Sequence, residues 1–185
     1  MDQAVDPAAD ETLMQGWVAG DDAAFGQLYA RHRMPLFRFL LGQVHDRSLA
    51  EELFQDVWQK VIAARAGWRP DAPFGAWLYR IAHNRLHDHW RARRHRPPAP
   101  ADALERTAAL AATDDPERDA SNRQDAARLH RALEELPAEQ REAVLMRLHG
   151  ELPLEEIARI TGVGRETVKS RLRYAMEKLR GRLEA

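Results

Sequence analysis

Leu154-Glu155-Glu156-Ile157-Ala158-Arg159-Ile160-Thr161-Gly162-Val163-Gly164-Arg165-Glu166-Thr167-Val168-Lys169-Ser170-Arg171-Leu172 reads as two helices meeting at a glycine turn. Ala158 is small where the helices must approach closely, and Gly162 permits the left-handed backbone that a tight turn needs. Ile157, Val163, Val168 and Leu172 supply the apolar wedge between them, and Gly164 is a candidate N-cap for the second helix, weaker than serine would be. With Val168, Leu172, Ala175 and Leu179 turned inward, that helix turns Arg165, Glu166, Lys169, Ser170 and Arg173 outward, with Thr167 and Arg171 at the margins. This is the pattern of a helix-turn-helix, whose second helix enters the major groove and whose arginine forks match guanine O6 and N7. A helical hairpin with a solvated basic face would share part of it. The complete turn spacing, and a run from Thr167 to Met176 that holds Lys169, Arg171 and Arg173 but no acid, favour DNA.

Upstream lies a basic segment of different chemistry. Phe74 to Arg96 interleaves Trp77, Tyr79 and Trp90 with Arg80, Arg85, Arg91, Arg93, Arg94 and Arg96. One helix face cannot bury every aromatic; Phe74, Leu78, Ile81 and Leu86 are the expected core residues, which leaves some of Trp77, Tyr79 and Trp90 toward the rim. An exposed aromatic beside arginines can take the place of a neighbouring base in a stack, worth about 1–3 kcal/mol per base. The same composition also suits aromatics in a core under a solvated basic face. His83, His87 and His89 invite a metal reading, but no Glu follows His83 as a zinc hydrolase motif requires, and Asp88 points elsewhere on the helix, so no metal site is expected.

The remaining chain is rich in helix formers and lacks strand alternation, which predicts an all-α protein. Expected helices run over about Glu11–Ala19 and Ala23–Val44, with Asp21 and Asp22 as candidate N-caps and Pro35 bending or interrupting the second. The second should turn Phe25, Leu28, Tyr29, Leu36, Phe39 and Leu40 inward. A third helix is expected to open on a capping box, Ser48 to Glu51, and to bury Leu53, Phe54, Val57, Trp58, Val61 and Ile62. Its opposite face, Glu51, Glu52, Gln55, Asp56 and Gln59, is acidic and amidic with no internal partner apparent in the sequence. After Pro97, Pro98 and Pro100 the chain turns alanine-rich and acidic, the composition of a flexible linker. Helices are expected to resume at about Glu117–Glu135, then Ala138–His149 between Pro137 and Gly150, Leu154–Thr161, and Arg165 to about Arg182.

Net charge is only −1, but it is unevenly distributed: −6 over residues 1–22, +7 over 23–96, −3 over 97–124 and +1 over 125–185. Acidic segments therefore mask a basic body. The absence of cysteine excludes disulfides and cysteine-ligated zinc. No apolar run approaches membrane-spanning length and the N-terminus carries no signal core, so a cytoplasmic protein without membrane insertion is expected. The organisation read from these features is an acidic N-terminal segment with a short helix (1–22), a helical domain (23–96), a flexible linker (97–124) and a second small helical domain carrying the helix-turn-helix (125–182).

Ala50-Glu51-Glu52-Leu53-Phe54-Gln55-Asp56-Val57-Trp58, then Phe74-Gly75-Ala76-Trp77-Leu78-Tyr79-Arg80-Ile81-Ala82-His83-Asn84, then Leu136-Pro137-Ala138-Glu139-Gln140-Arg141 and the helix-turn-helix resemble, in order and spacing, the extracytoplasmic-function group of sigma-70 family sigma factors. The resemblance implies that residues 23–96 bind core RNA polymerase and recognise the -10 element, and that 125–182 recognise the -35 element. Carried over by position, Glu51, Glu52, Gln55, Asp56 and Gln59 would contact the polymerase. Trp77, Tyr79, Arg80, Asn84, Arg85, Asp88, Arg91, Arg93 and Arg94 would engage the melted -10 region. Arg165, Glu166, Thr167, Lys169, Ser170, Arg171 and Arg173 would read the -35 bases. The sequence departs from the family's pattern at Glu52, where aspartate is common, at Gly164, where serine is common, and at His83, where arginine is common. The partners implied are core polymerase, promoter DNA and an anti-sigma factor, with no catalytic residue, cofactor or small-molecule substrate. A stretch from Pro97 to Pro116 would reach on the order of 65–70 Å if extended, enough for two promoter elements about two duplex turns apart. The rival reading is a helix-turn-helix regulator that acts without polymerase; such proteins usually dimerise on palindromes, and no dimer helix is visible.

Overall fold

The computed structural model describes residues 9–94 and 127–184, and every regular element in them is helical. Helices α1 (Asp10–Val18), α2 (Asp22–Val44), α3 (Arg47–Ala64) and α4 (Phe74–Arg94) form a first bundle, with a single 3₁₀ turn at Arg65–Gly67. Residues 127–134 (α5), α6 (Ala138–His149), α7 (Leu154–Thr161) and α8 (Arg165–Leu183) form a second. The expected linker, 97–124, lies outside the described residues. Among the described residues no helix is long and apolar enough to cross a membrane.

The first bundle is organised by its helix starts. Asp21 caps α2 by accepting from the Ala23 and Ala24 N–H groups. Asp46, not Ser48, caps α3: its carboxylate accepts from the Leu49 N–H at 3.0 Å, and Glu51 pairs with Arg47 at 2.9 Å instead of completing a capping box. The helix thus starts two residues earlier than the hydroxyl would have set it. Glu11 of α1 accepts from the Phe74 N–H at 3.1 Å, so a distant carboxylate satisfies an otherwise orphaned donor at the start of α4. Pro35 lies inside α2 without ending it; the hydrogen bond lost to its missing N–H is outweighed by the burial of Leu36, Phe39 and Leu40 on the same helix. Leu53, Val57, Trp58 and Val61 of α3 are buried, whereas Ile62, expected inward, is 47% exposed. Tyr29 packs edge-on against Trp58 with ring centroids 4.9 Å apart, closing the core between α2 and α3.

The two bundles pack directly on one another, α2 against α6 and α4 against α7, and their buried residues form one continuous core. Gly42 allows the first crossing, because a Cβ there would stand 2.8 Å from Leu145 Cδ1. At the second, Tyr79 is 1% exposed and lies beside Gly150 and Leu152. Its expected place at the rim is therefore corrected: the neighbouring bundle covers it. Burial, with Glu151 second, pushes the Tyr79 phenol above its ordinary value, so it stays protonated.

Candidate nucleic-acid interface

The α7–α8 corner has the local geometry that the sequence predicts. Gly162 adopts φ 71° and its N–H donates to the Ala158 carbonyl at 2.9 Å, joined by the Val163 N–H at 3.2 Å, so two donors of the turn converge on one carbonyl near the end of α7. Ile157 and Val168 are fully buried, with Val163 and Leu172 packed against them. Gly164 occupies the N-cap of α8 with extended backbone and no side-chain hydrogen bond. From this frame Arg165, Glu166, Thr167, Lys169 and Arg173 project into solvent, while Ser170 and Arg171 are half-buried.

Acids hold several of these cations in place. Arg165 is paired with Glu155 of α7 and lies 3.2 Å from Glu166; the hydrogen bond to Glu155 raises the arginine's pKa and lowers that of the carboxylate. Lys169 lies 3.7 Å from Glu166, and the Arg173 guanidinium sits 4.8 Å from the Tyr174 ring centroid. These cations are thus held by weak, exposed pairs, which a competing anion could displace.

On α4, Arg80, Asn84, Asp88, Arg91, Arg93 and Arg94 are exposed, and Trp77, Arg85 and Trp90 are half-buried. Trp77 leans on Phe74, ring centroids 6.0 Å apart, leaving part of the indole accessible. The C-terminal part of α4 borders a cleft of about 620 Å³ lined by Trp90, Arg91, Arg93 and Arg94 together with Glu139 and Arg141 of α6. Burial lowers the Arg141 pKa, opposed by the carboxylates of Glu134 and Glu142.

On α3, Glu51, Glu52, Gln55 and Gln59 are exposed, but the face is not merely solvated. Asp56 is half-buried and accepts from Arg85 Nε at 2.7 Å, with Glu52 3.8 Å from the same guanidinium. Asp56 and Arg85, assigned on sequence to different surfaces, are partners.

The structure also assembles a cluster that sequence spacing does not reveal. His83 Nδ1 lies 2.7 Å from Glu142 Oε1, and the ring of His87, four residues on, lies tilted against that of His83 with centroids 4.1 Å apart. Glu142 comes from α6, in the other bundle. Desolvation first, then the neighbouring His83, lowers the His87 pKa, with Glu142 acting in the opposite direction. The sequence held the histidine pair, but their carboxylate lies 59 residues from His83 and is brought in only by the packing of the bundles.

Residues 28–96 match the family described as Sigma-70 region 2, and residues 132–181 match Sigma-70, region 4. The chain is similar to the RNA polymerase sigma-H factor of Pseudomonas aeruginosa, 31% identical over 174 residues, which cover 91% of this chain and 90% of that protein. Its fold is similar to CnrH, solved in complex with the cytosolic domain of CnrY, at 25% identity and a TM-score of 0.69, covering 96% of this chain and 98% of that one. It is likewise similar to the sigma factor RpoE of Bartonella quintana, solved with the anti-sigma factor NepR, at 25% identity and a TM-score of 0.69, covering 87% and 97%.

Proposed function

The chain belongs to the sigma-70 family and is an RNA polymerase sigma factor of the extracytoplasmic-function group, and we propose that it divides promoter recognition between its two bundles. In this reading residues 125–182 recognise the -35 duplex through α8. Residues 23–96 bind the polymerase through Glu51, Glu52, Gln55 and Gln59, and hold the melted -10 strand along α4. The observation that carries it is the exposed face of α8, where Arg165, Thr167, Lys169 and Arg173 stand clear of the first bundle on a helix held by the Gly162 turn. Phosphate contacts would position that helix and arginine contacts to base edges would specify the sequence.

Within the first bundle, Arg80, Asn84 and the accessible edge of Trp77 offer phosphate contacts and a stacking surface together, the combination suited to unstacked bases. Tyr79 and the cleft around Arg91 and Arg94 face the other bundle, so their use in strand capture requires the bundles to part. Asp56 and Arg85 act first on each other, which makes them positioning residues for the two surfaces. The protein supplies binding energy and no chemistry; the polymerase catalyses RNA synthesis. CnrH is solved with the cytosolic domain of CnrY and RpoE with the anti-sigma factor NepR; an anti-sigma factor is the corresponding partner inferred for this chain. The absence of a long apolar helix among the described residues fits action in the cytoplasm.

Co-elution with core polymerase, followed by transcription from promoter fragments, tests the reading. Recruitment to the enzyme and initiation at discrete sites are expected, whereas sequence-specific DNA binding with no polymerase affinity would favour a regulator that acts alone.

A further inference from the structure

We propose that His83 and His87 of α4 and Glu142 of α6 form a binding site for a divalent late first-row transition metal, with zinc as its type, that clasps the two bundles together. The three ligand atoms lie within 4.8 Å of one another. Nδ1 of His83 is 2.7 Å and Nε2 of His87 is 3.9 Å from Oε1 of Glu142. A metal held at about 2.0–2.2 Å by tetrahedral ligands sets those ligands about 3.3 Å apart, and the observed separations bracket that value. Small side-chain rotations would close the triad without moving a helix.

The surroundings suit such an ion. All three residues sit within helices rather than on loops, and the i, i+4 spacing keeps both imidazoles on one face. His83 and Glu142 are each 12% exposed, so the inner side is shielded, while His87 at 56% leaves a solvent-facing position for water as a fourth ligand. Two imidazoles and one carboxylate select zinc, cobalt, nickel or copper over magnesium or calcium, which prefer all-oxygen shells. Arg91 and Arg94 bear on His87 from the same helix and disfavour any cation there, and the Glu142 carboxylate opposes them. Affinity should therefore be moderate, as befits a site that loads and empties. Because the ligands come from both bundles, occupancy stabilises the packed arrangement by mass action. A second trio, His45 at the C-cap of α2 with His130 and Glu134 of α5, also spans the seam, with both imidazole Nδ1 atoms 3.6 Å from Glu134 Oε1. It is the natural internal control.

The site depends on the docking of the two bundles, α2 on α6 and α4 on α7, and not on how the promoter is read. The test uses the untagged full-length chain, stripped with chelator and titrated with cobalt(II) while visible d–d absorption is followed. One cobalt per chain, displaced by zinc, is expected. His87→Ala and Glu142→Gln should each weaken binding about tenfold or more while retaining the helical circular dichroism spectrum, and His130→Ala should leave it unchanged. The chain has no cysteine, so Lys60→Cys with Glu177→Cys allows spin labels on α3 and α8, whose distance distribution zinc should narrow. Absence of cobalt binding, binding indifferent to His87→Ala and Glu142→Gln, binding lost only in His130→Ala, or a distance distribution unchanged by zinc would overturn the proposal.

Discussion

The guanidinium of Arg85 on α4 holds the Asp56 carboxylate on α3 at 2.6 Å, with only 18% of the arginine side chain and 33% of the aspartate exposed. The pair joins the helix proposed to hold melted DNA to the helix proposed to bind polymerase. Removing the carboxylate leaves a largely buried cation without its main acceptor. Asp56→Ala should therefore lower unfolding free energy by about 1–3 kcal/mol, measured by urea denaturation, and Asp56→Asn by less because the amide oxygen still accepts. A loss of polymerase affinity in Asp56→Asn no greater than its stability loss would identify Asp56 as a positioning residue.

Gly162 is the turn's one left-handed position, at φ 71°. Gly162→Ala should cost about 1–2 kcal/mol and lower the thermal midpoint by about 2–8 °C. Gly164→Ser, by contrast, should gain a few tenths of a kcal/mol by supplying a hydroxyl at the N-cap of α8. Differential scanning calorimetry of both variants checks the opposite signs.

Lys169 and Arg173 are exposed on α8 and engaged only by weak contacts, to Glu166 and to Tyr174. Lys169→Ala should weaken duplex binding across sequences and reduce the slope of log affinity against log salt by about 1 if the ammonium meets a phosphate. Arg173→Ala should instead relax preference at one base pair, by about 1–3 kcal/mol, if its fork meets a guanine. Fluorescence anisotropy over a salt series, with promoter and scrambled duplexes, separates the two behaviours.

Most helix positions were legible in the sequence because their causes are local. Pro137 and Gly150 bracket α6, Gly162 sets the α7–α8 turn, and apolar spacing marks the inner face of α3. What escaped was non-local. The cap of α3 went to Asp46 because backbone geometry, not the presence of Ser48, decides which oxygen reaches a free N–H. Tyr79 seemed suited to the rim until the second bundle covered it. Glu142 became a neighbour of His83 through α6 packing on the first bundle, a relationship that no spacing rule in a single helix encodes.

His149 lies at the end of α6, and burial, with Arg38 across the seam second, holds its pKa down to about 4. The unfolded chain binds the proton near 6.5, so protonation favours the unfolded or undocked chain. Its contribution to stability is fully present above about pH 6.5 and is lost as pH falls toward 4. Urea midpoints should decline across that window, and His149→Gln should flatten the decline. An identical pH slope in the variant would remove His149 from the account.

Transcription by reconstituted holoenzyme bears most directly on the division of labour between the two bundles. Core polymerase mixed with this chain should initiate at discrete sites on a library of genomic fragments. Arg165→Ala with Lys169→Ala should reduce use of those sites through the duplex element, and Trp77→Ala should slow strand opening after the complex has formed, read with permanganate. Initiation at no discrete site, or opening kinetics untouched by the α4 substitution, would contradict it.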